Sequence, residues 1–274
     1  MAQSEKRPLS FYLLTAFFGL FIIFLYGPMS AIFLLSFQGP EGQLTFPMRG
    51  FSFHWIKAVF GAQRVGDFVT AFQRSFSLGF VVMLITVVFS VMAGLAFRQR
   101  FRGSNVLFYL TISSLIVPSI LVSLGIGIVF NLLNLPIQWY SSALAGHLTW
   151  TLPFAFLIML GIFARFNPAY EEASRDLGAS DTTTFWRIVF PLIASSVIGV
   201  GLLGFTLSYD EFTRTSLISG ENNTLPLEIF GMTTNVTSPA LYALGTLTTI
   251  FSFVLIVVAL STMQFLARRQ NQSR

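Results

Sequence analysis

The sequence contains no cysteine and little charge. Only 10% of its 274 residues are charged, against roughly 25% in an ordinary soluble domain. The absence of cysteine excludes a disulfide framework, a thiolate metal site and a cysteine nucleophile. The two lysines, Lys6 and Lys57, do not follow glycine, so the Gly-Lys pair of a phosphate-binding P-loop is absent. The 54% apolar content and the mean hydropathy of +0.74 indicate a chain that lies largely in a bilayer.

Long stretches of the chain lack Asp, Glu, Lys and Arg altogether. Gly103 to Ala164 is too long for one crossing, because a helix rises about 1.5 Å per residue and the hydrocarbon core is about 30 Å thick. We expect this stretch to turn between Asn134 and Ser142, with Trp139 and Tyr140 at the headgroup level. The charge-free stretches are Pro8–Pro40, Ser75–Phe97, Gly103–Ala164, Ile188–Tyr209 and Ile229–Ala267.

These stretches predict an all-α integral membrane protein that forms a single transmembrane domain over residues 1–274. Outside the spans, the aromatic and polar segment 38–74 predicts two short interfacial helices, around 53–60 and 65–74. The six predicted spans are 11–35, 75–97, 106–131, 142–163, 188–208 and 241–265.

The distribution of basic residues predicts the orientation. With six crossings both termini share a side, and that side carries eleven of the 16 Lys and Arg residues. Because cytoplasmic loops are enriched in basic residues, we expect both termini, and the loop at 165–187, in the cytoplasm.

The loop at 165–187 is long enough to fold. Asn167 and Pro168 are typical of a helix start, and Gly178 is typical of a left-handed stop, so we predict a helix over Pro168–Leu177. Tyr170, Ala173 and Leu177 would share one face of it, and Glu171 would pair with Arg175 four residues on. A second helix would start at Ser180 or Asp181. The residues alone leave two alternatives open: an elbow that docks on another protein, or a connecting loop.

One spaced string in this loop carries a resemblance. Glu172-Ala173-Ser174, three residues, Gly178, nine residues and Ile188-Val189-Phe190-Pro191 resemble the EAA motif of the membrane subunits of bacterial ABC importers. Ser174 and Phe190 depart from the motif's second alanine and its leucine. The resemblance implies a MetI-like, type I importer permease fold, in which this loop docks into a groove on a separate ATPase. The residues it implies for ATPase coupling are Glu171, Glu172, Ala173, Arg175, Asp176, Leu177, Gly178 and Ala179. We expect a side chain at Gly178 to obstruct the elbow.

The resemblance extends over most of the chain. Segments 171–180, 147–154, 205–212 and 224–227 look like the second permease of spermidine/putrescine-type importers. This likeness implies an importer of a small organic cation, such as a polyamine or an opine or amino-acid-like solute. The implied partners are a sister permease, two ATPase subunits that bind ATP and Mg, and a periplasmic binding protein, with no cofactor or metal in this chain.

Polar groups near the span ends are candidates for the cargo pathway. Asp210 and Glu211 follow Tyr209 at the end of the fifth span, where they could attract ammonium groups or only mark the membrane boundary. Arg214 lies four residues after Asp210 and could neutralise it. Ser119 belongs to this set because polyamine permeases often carry an acid at its position. His147 is either a titrating group in the pathway or, as we favour, a neutral hydrogen-bonding residue between helices.

Three prolines are expected to bend the spans of a gate: Pro118 in the third span, Pro153 in the fourth and Pro191 in the fifth. Two other classes of protein are less consistent with the sequence. A membrane-embedded enzyme would require a catalytic or metal-ligand cluster, which is absent around both histidines. An ATP-independent transporter or channel predicts internal repeats and mid-membrane charges, which the chain lacks.

Overall fold

The computed structural model describes residues 8–61, 67–99, 101–235 and 238–272. Within these ranges the regular structure is helical, and one isolated bridge pairs Gln38 with Phe51. The α-helices are α1 (Leu9–Leu35), α2 (His54–Val59), α3 (Phe68–Phe97), α4 (Ser104–Ile116), α5 (Ser119–Leu132), α6 (Ser142–Ala164), α7 (Ala169–Asp176), α8 (Asp181–Thr184), α9 (Phe190–Tyr209), α10 (Leu225–Asn235) and α11 (Ala240–Gln272). A π-helical turn (Phe185–Val189) joins α8 to α9, and a 3₁₀ turn (Thr215–Leu217) follows α9.

Five helical segments are long and apolar enough to cross a membrane, and α4 with α5 provides a sixth if the pair counts as one span. The predicted all-α class with six spans is therefore confirmed at the level of five to six candidate membrane helices. The five segments are Leu9–Leu35, Phe68–Phe97, Ser142–Ala164, Asp181–Tyr209 and Ala240–Phe265. The side of the membrane on which the termini lie stays a prediction.

The prediction of the third span as one continuous helix over 106–131 is wrong. α4 and α5 meet at an angle of 109°. The two residues between them, Val117 and Pro118, have extended ψ angles of 129° and 132°. Proline disfavours the α conformation in the residue before it, which explains why the chain breaks here and confirms the predicted bend at Pro118. Each half is about 20 Å long, less than the hydrocarbon thickness of about 30 Å.

The other two prolines lie inside continuous helical structure. α6 runs through Pro153 without a break, so the bend predicted there stays a prediction. Pro191 is near the first residue of α9, directly after the π-helical turn, where the N–H of Phe190 bonds to the carbonyl of Phe185. Such turns are frequent where helices bend.

The predicted helix around 65–74 is not a separate helix. α3 begins at Phe68, so residues 68–74 form its first turns, while Val65 lies outside the described residues. The Asp67 carboxylate accepts a hydrogen bond from the N–H of Thr70 and caps α3. This hydrogen bonding lowers the pKa of Asp67, because it stabilises the charged form. The other helix predicted in this segment, around 53–60, is confirmed as α2, and its place at the membrane interface stays a prediction.

The chain divides into two compact units. The first combines the residues before Asp67 with Met232–Phe253. In it the buried side chain of Gln38 closes a loop, donating to the carbonyl of Gln43 at 2.9 Å and accepting from the N–H of Arg49 at 2.7 Å. The hydroxyl of Tyr242 donates to the carbonyl of Leu44 at 2.7 Å and fastens α11 to the same loop.

The second unit combines Asp67–Gly231 with the chain from Val254 onward. Its core lies where α3, α6 and α9 pack together. A Cβ on Gly94 of α3 would lie 2.7 Å from the ring of Phe163, so the absence of a side chain permits the close approach of α3 and α6. The buried core residues are Val91, Ala155, Met159, Phe163, Val189, Ile193, Val197 and Val200.

Candidate functional site

The loop between α6 and α9 folds as a helix–turn–helix, which we call the elbow (165–187). Its first helix, α7, begins one residue after Pro168, and the side chain of Asn167 accepts from the N–H of Ala169 at 3.1 Å. At its end the N–H of Gly178 bonds to the carbonyl of Arg175 at 2.8 Å, and that of Ala179 to the carbonyl of Ser174 at 3.1 Å. These two bonds form a Schellman motif, with Gly178 at φ +80°. The predicted helix and its left-handed stop are confirmed.

The expected reason for the glycine is wrong. A Cβ at Gly178 would meet no atom within 4 Å, so nothing among the described residues obstructs a side chain there. The requirement comes from the backbone, because a left-handed φ costs a residue with a Cβ roughly 1–2 kcal/mol.

The second arm of the elbow is α8, which starts as predicted at Asp181. The hydroxyl of Ser180 accepts from the N–H of Thr183 at 3.3 Å and caps this helix. A hydrogen bond of 3.0 Å joins the hydroxyls of Ser174 in α7 and Thr184 in α8. Ser174, the residue that departs from the EAA motif, therefore ties the two arms of the elbow together.

The predicted pairing of Glu171 with Arg175 is wrong. Arg175 bonds instead to Asp181 across the elbow, at 3.1 Å, and both side chains are largely exposed. Glu171 binds Arg98, the residue that follows α3, through two bonds of 2.7 and 2.8 Å. Helical spacing suggested Arg175 as the partner of Glu171, four residues away. Arg98 instead forms two parallel hydrogen bonds with the carboxylate of Glu171, a stronger arrangement than a single bond.

The guanidinium of Arg98 lies over two aromatic rings at the end of α6. Its central carbon is 5.5 Å from the centre of the Phe163 ring and 5.1 Å from that of Phe166. The side chains of Arg98 and Glu171 are 21% and 14% exposed, so the rings and helices shield the pair from solvent. We call this two-pronged ion pair the fork.

The tip of the elbow is apolar and exposed. Leu177 is 89% exposed, Tyr170 is 49% exposed and Trp186, just beyond α8, is 59% exposed. Ala173 is also exposed, so the predicted face of Tyr170, Ala173 and Leu177 points away from the rest of its unit. Among the remaining predicted coupling residues, Glu172, Asp176 and Gly178 are exposed, and Ala179 is half-buried.

The predicted pathway residues lie at the opposite end of the same unit. Asp210 is exposed, whereas Glu211 is 7% and Arg214 4% exposed. Arg214 pairs with Glu211 and not, as predicted, with Asp210: the guanidinium is 3.4 Å from the carboxylate, and the backbone N–H of Arg214 donates to it at 2.8 Å. The guanidinium also lies over the ring of Trp150, at 4.8 Å. The chain turns after Tyr209, which directs Asp210 outward and Glu211 inward.

His147 bridges two elements at this end. It is 1% exposed, with Nδ1 at 2.7 Å from the hydroxyl of Ser208 and Nε2 at 2.8 Å from that of Thr215. Since the Thr215 hydroxyl donates its hydrogen to the carbonyl of Glu211 at 2.6 Å, it accepts from His147. Nε2 therefore carries the ring hydrogen, and in the neutral ring Nδ1 accepts from Ser208. This geometry supports the interhelical hydrogen-bonding role favoured for His147.

The two other pathway residues take positions near this network. The ring of Tyr209 stacks on Phe205 with a centre distance of 5.7 Å. Ser119 is the first residue of α5 and its carbonyl accepts from Ser123. Ser123 in turn donates to the carbonyl of Arg214 at 2.8 Å and fastens the segment after α9 to α5. Their contact with cargo stays a prediction.

Sequence reasoning missed the residues that make contacts across long separations. Arg98 counted only as one of the basic residues that set the orientation, and Thr184, Ser208 and Thr215 drew no attention. The sequence showed that Ser174 departs from the motif, but it did not indicate that Thr184 is the hydrogen-bond partner of Ser174. Nothing in the local pattern around Arg98 identifies an acid 73 positions later as its partner.

Comparison with known families identifies the class of protein. Residues 86–272 match the family described as binding-protein-dependent transport system inner membrane component. The chain belongs to this family. The matched range includes the elbow, the fork, His147 and the acidic residues after α9, and therefore both ends of the unit described above.

Relatives of this inner-membrane component have named transport roles. The spermidine/putrescine transport system permease protein PotC of Haemophilus influenzae is 28% identical, with 95% of this chain and 98% of PotC covered. PotC of Escherichia coli K12 is also 28% identical, with 91% of each chain covered. The putrescine transport system permease protein PotI of Escherichia coli K12 is 26% identical over 82% of this chain and 81% of PotI.

Solved structures share the fold of this inner-membrane component. A bacterial ABC transporter involved in the import of the acidic polysaccharide alginate has a chain that superposes with a TM-score of 0.66 at 18% identity, covering 95% of this chain and 99% of that one. The alginate transporter in complex with its alginate-bound periplasmic protein gives a TM-score of 0.64 at 17% identity, covering 95% and 94%.

The inner-membrane component is a permease subunit of an ABC importer and a multi-pass protein of the inner membrane. Family membership decides between the predicted permease and its two alternatives, a membrane enzyme and an ATP-independent transporter, in favour of the permease. As a permease subunit it works with other importer components.

Proposed function

We propose that the elbow docks on a separate ATPase at the cytoplasmic face and converts its movement into alternating access of the cargo pathway. The observation that carries this proposal is the exposed apolar tip of an otherwise well-tied elbow. Leu177, which is 89% exposed, directly follows α7, and a Schellman motif fixes the backbone at this helix end. Leu177 continues the exposed face that Tyr170 and Ala173 form on α7, and an exposed apolar face outside the membrane spans is typical of a protein contact.

The assembly that we propose has four kinds of component: this chain, a sister permease, two ATPase subunits that bind ATP and Mg, and a periplasmic binding protein. Both termini of this chain would lie in the cytoplasm, on the side of the elbow. The chain itself would carry no cofactor and no metal. The excess of basic residues on the predicted cytoplasmic side supports this orientation.

Substitution of Gly178 tests the docking. Gly178→Ala introduces only the backbone strain of roughly 1–2 kcal/mol, whereas Gly178→Asp also adds a charge at the tip. We expect the alanine variant to retain the ATPase on copurification from membranes and the aspartate variant to lose it, with both inserted at wild-type levels.

Gly103 offers a matched control for this experiment. It has φ +90°, a Cβ added to it would meet no atom within 4 Å, and it lies on the same predicted side of the membrane. Gly103→Asp should therefore keep the ATPase. Retention of the ATPase by Gly178→Asp, or its loss from both aspartate variants alike, would contradict docking at the elbow.

We further propose that the cargo is a small organic cation, a polyamine such as putrescine or spermidine or a related opine or amino-acid-like solute. The named roles of PotC and PotI support the class of cargo. Because Arg214 already neutralises Glu211, the carboxylate available to an approaching cation is that of exposed Asp210. This refines the sequence-based proposal, which gave both acids the same role.

Two measurements test the cargo. Thermal-shift screening of the matching binding protein against putrescine, spermidine, opines and amino acids should identify a cationic ligand. In uptake assays with that ligand, Asp210→Asn should raise the concentration needed for half-maximal uptake, whereas Glu221→Gln, which removes another exposed acid, should leave it unchanged. Equal uptake by both variants and wild type would reduce Asp210 to a boundary residue.

A further inference from the structure

We propose that the fork between Arg98 and Glu171 is the joint through which a displacement of the elbow reaches α3. In this role both are positioning residues for transport, because they act through the helix that they hold. The inference rests on the proposed docking of an ATPase and adds the path that the movement takes beyond the elbow.

The argument starts from chain connectivity. The elbow is covalently continuous with two of the three helices that form the core of its unit, since α7 follows α6 after a short link and α8 runs through the π-helical turn into α9. It has no such connection to α3, the third core helix, which ends at Phe97. A noncovalent contact must therefore carry any pull on α3 that comes directly from the elbow.

The fork lies beside two open grooves in the surface of the unit. A groove of about 440 Å³ lies between the elbow and the end of α3, with Leu95, Gln99 and Thr184 among its lining residues. A second groove, of about 500 Å³, is lined by Arg98 together with Phe97 and Leu160. Glu171 lines the first groove and Arg98 the second, so the two hydrogen bonds of the fork supply a direct polar contact between the elbow and the end of α3.

The geometry of the fork suits a joint. Two parallel N–H···O bonds of 2.7 and 2.8 Å fix the orientation of the two side chains as well as their distance. The rings of Phe163, in α6, and of Phe166, just after it, lie against the guanidinium. Glu171 lies in the first turn of α7 and Arg98 directly follows α3, so the joint connects the ends of two helices.

A break in this joint has a specific consequence. The elbow would still move α6 and α9 through the chain, but α3 would follow only through its packing against these two helices. Importers change state by rigid-body movement, which requires the core helices to move together. Loss of the fork should therefore leave ATPase docking intact and uncouple ATP hydrolysis from transport.

The absence of cysteine from the chain makes this displacement measurable. Nitroxides would be attached to Gln99→Cys at the end of α3 and to Thr182→Cys in the elbow, both exposed positions. Their separation is read by electron paramagnetic resonance in the full importer complex in liposomes, without nucleotide and with ATP plus vanadate. With the fork intact we expect the same separation in both states. In Glu171→Gln we expect it to differ between the states.

Three further variants complete the test. Arg98→Lys keeps the charge but not the two-pronged geometry and should give a partial effect. The exchange Arg98→Glu/Glu171→Arg should restore a state-independent separation, which a purely local structural defect would not. Glu221→Gln, which removes an exposed acid outside the elbow, is the control and should behave as wild type.

Radiolabelled spermidine uptake and ATP hydrolysis complete the readout. Glu171→Gln should lower uptake at least about fivefold while hydrolysis stays within about twofold of wild type. The proposal is overturned if the separation in Glu171→Gln stays the same in both states, if that in wild type changes, or if Glu171→Gln loses its ATPase. Failure of the wild-type chain to copurify an ATPase would overturn the docking proposal itself. Failure of the wild-type importer to take up spermidine would overturn only the proposed cargo.

Discussion

Each end of the second unit contains an ion pair between an arginine and a glutamate, but the two pairs have different surroundings. At the elbow, Arg98 and Glu171 join elements 73 positions apart, and their side chains are 21% and 14% exposed. At the opposite end, Glu211 and Arg214 are three positions apart and 5–6% exposed. The first pair connects two elements beside open surface grooves, whereas the second anchors one turn of chain inside a packed polar cluster. The surroundings of an acid–arginine pair thus distinguish a link between two elements, as we propose for the fork, from an anchor of one turn of chain.

The anchored end should be the more sensitive to loss of one partner. Arg214→Gln leaves the carboxylate of Glu211 buried without its guanidinium, which should cost about 3–5 kcal/mol of stability. Thermal unfolding of the purified protein in detergent measures the loss. Asp181→Asn, in the exposed pair of the elbow, should cost no more than about 1 kcal/mol.

The double variant Arg214→Gln/Glu211→Gln separates charge burial from packing. It should recover part of the lost stability, because no uncompensated charge remains. If Arg214→Gln costs no more than Asp181→Asn, the anchor interpretation of the opposite end fails.

A smaller effect is expected from the histidine of the same cluster. His147→Phe keeps an aromatic ring but leaves the hydroxyls of Ser208 and Thr215 without their ring partner, at a cost of about 1–3 kcal/mol. Ser208→Ala alone should cost about 0.6 kcal/mol, the average for interhelical hydrogen bonds in membrane proteins. Unfolding in a graded series of SDS concentrations can resolve these values.

Coupling between the two positions is the decisive quantity. In the double variant His147→Phe/Ser208→Ala the losses of stability should not add, since the hydroxyl of Ser208 and the ring of His147 share one hydrogen bond. Additive losses would mean that Ser208 and His147 do not form the hydrogen bond of 2.7 Å that we describe.

The two ends also show what the sequence could predict. Local features were predictable because a few neighbouring residues determine them: Gly178 ends α7, Pro118 breaks the third span, and charge-free stretches mark the spans. Ion-pair partners were not predictable. Helical spacing suggested Arg175 for Glu171 and Arg214 for Asp210, and both predictions are wrong because tertiary packing brings Arg98 to Glu171 and the turn after α9 directs Glu211 inward.

The most local of the expected effects concerns the hydrogen bond between the two arms of the elbow. Ser174→Ala restores the motif residue of the family and removes the hydroxyl contact to Thr184. Because Thr184 is buried, its hydroxyl loses a partner, and we expect a local loss of no more than about 1 kcal/mol, or about a fivefold increase in amide hydrogen exchange over 169–184. Thr184→Val/Ser174→Ala, which removes both hydroxyls, should exchange more slowly than Ser174→Ala alone. Exchange that increases equally at the opposite end, around His147, would mean that the two ends are one cooperative structure, and the distinction between joint and anchor would then not hold.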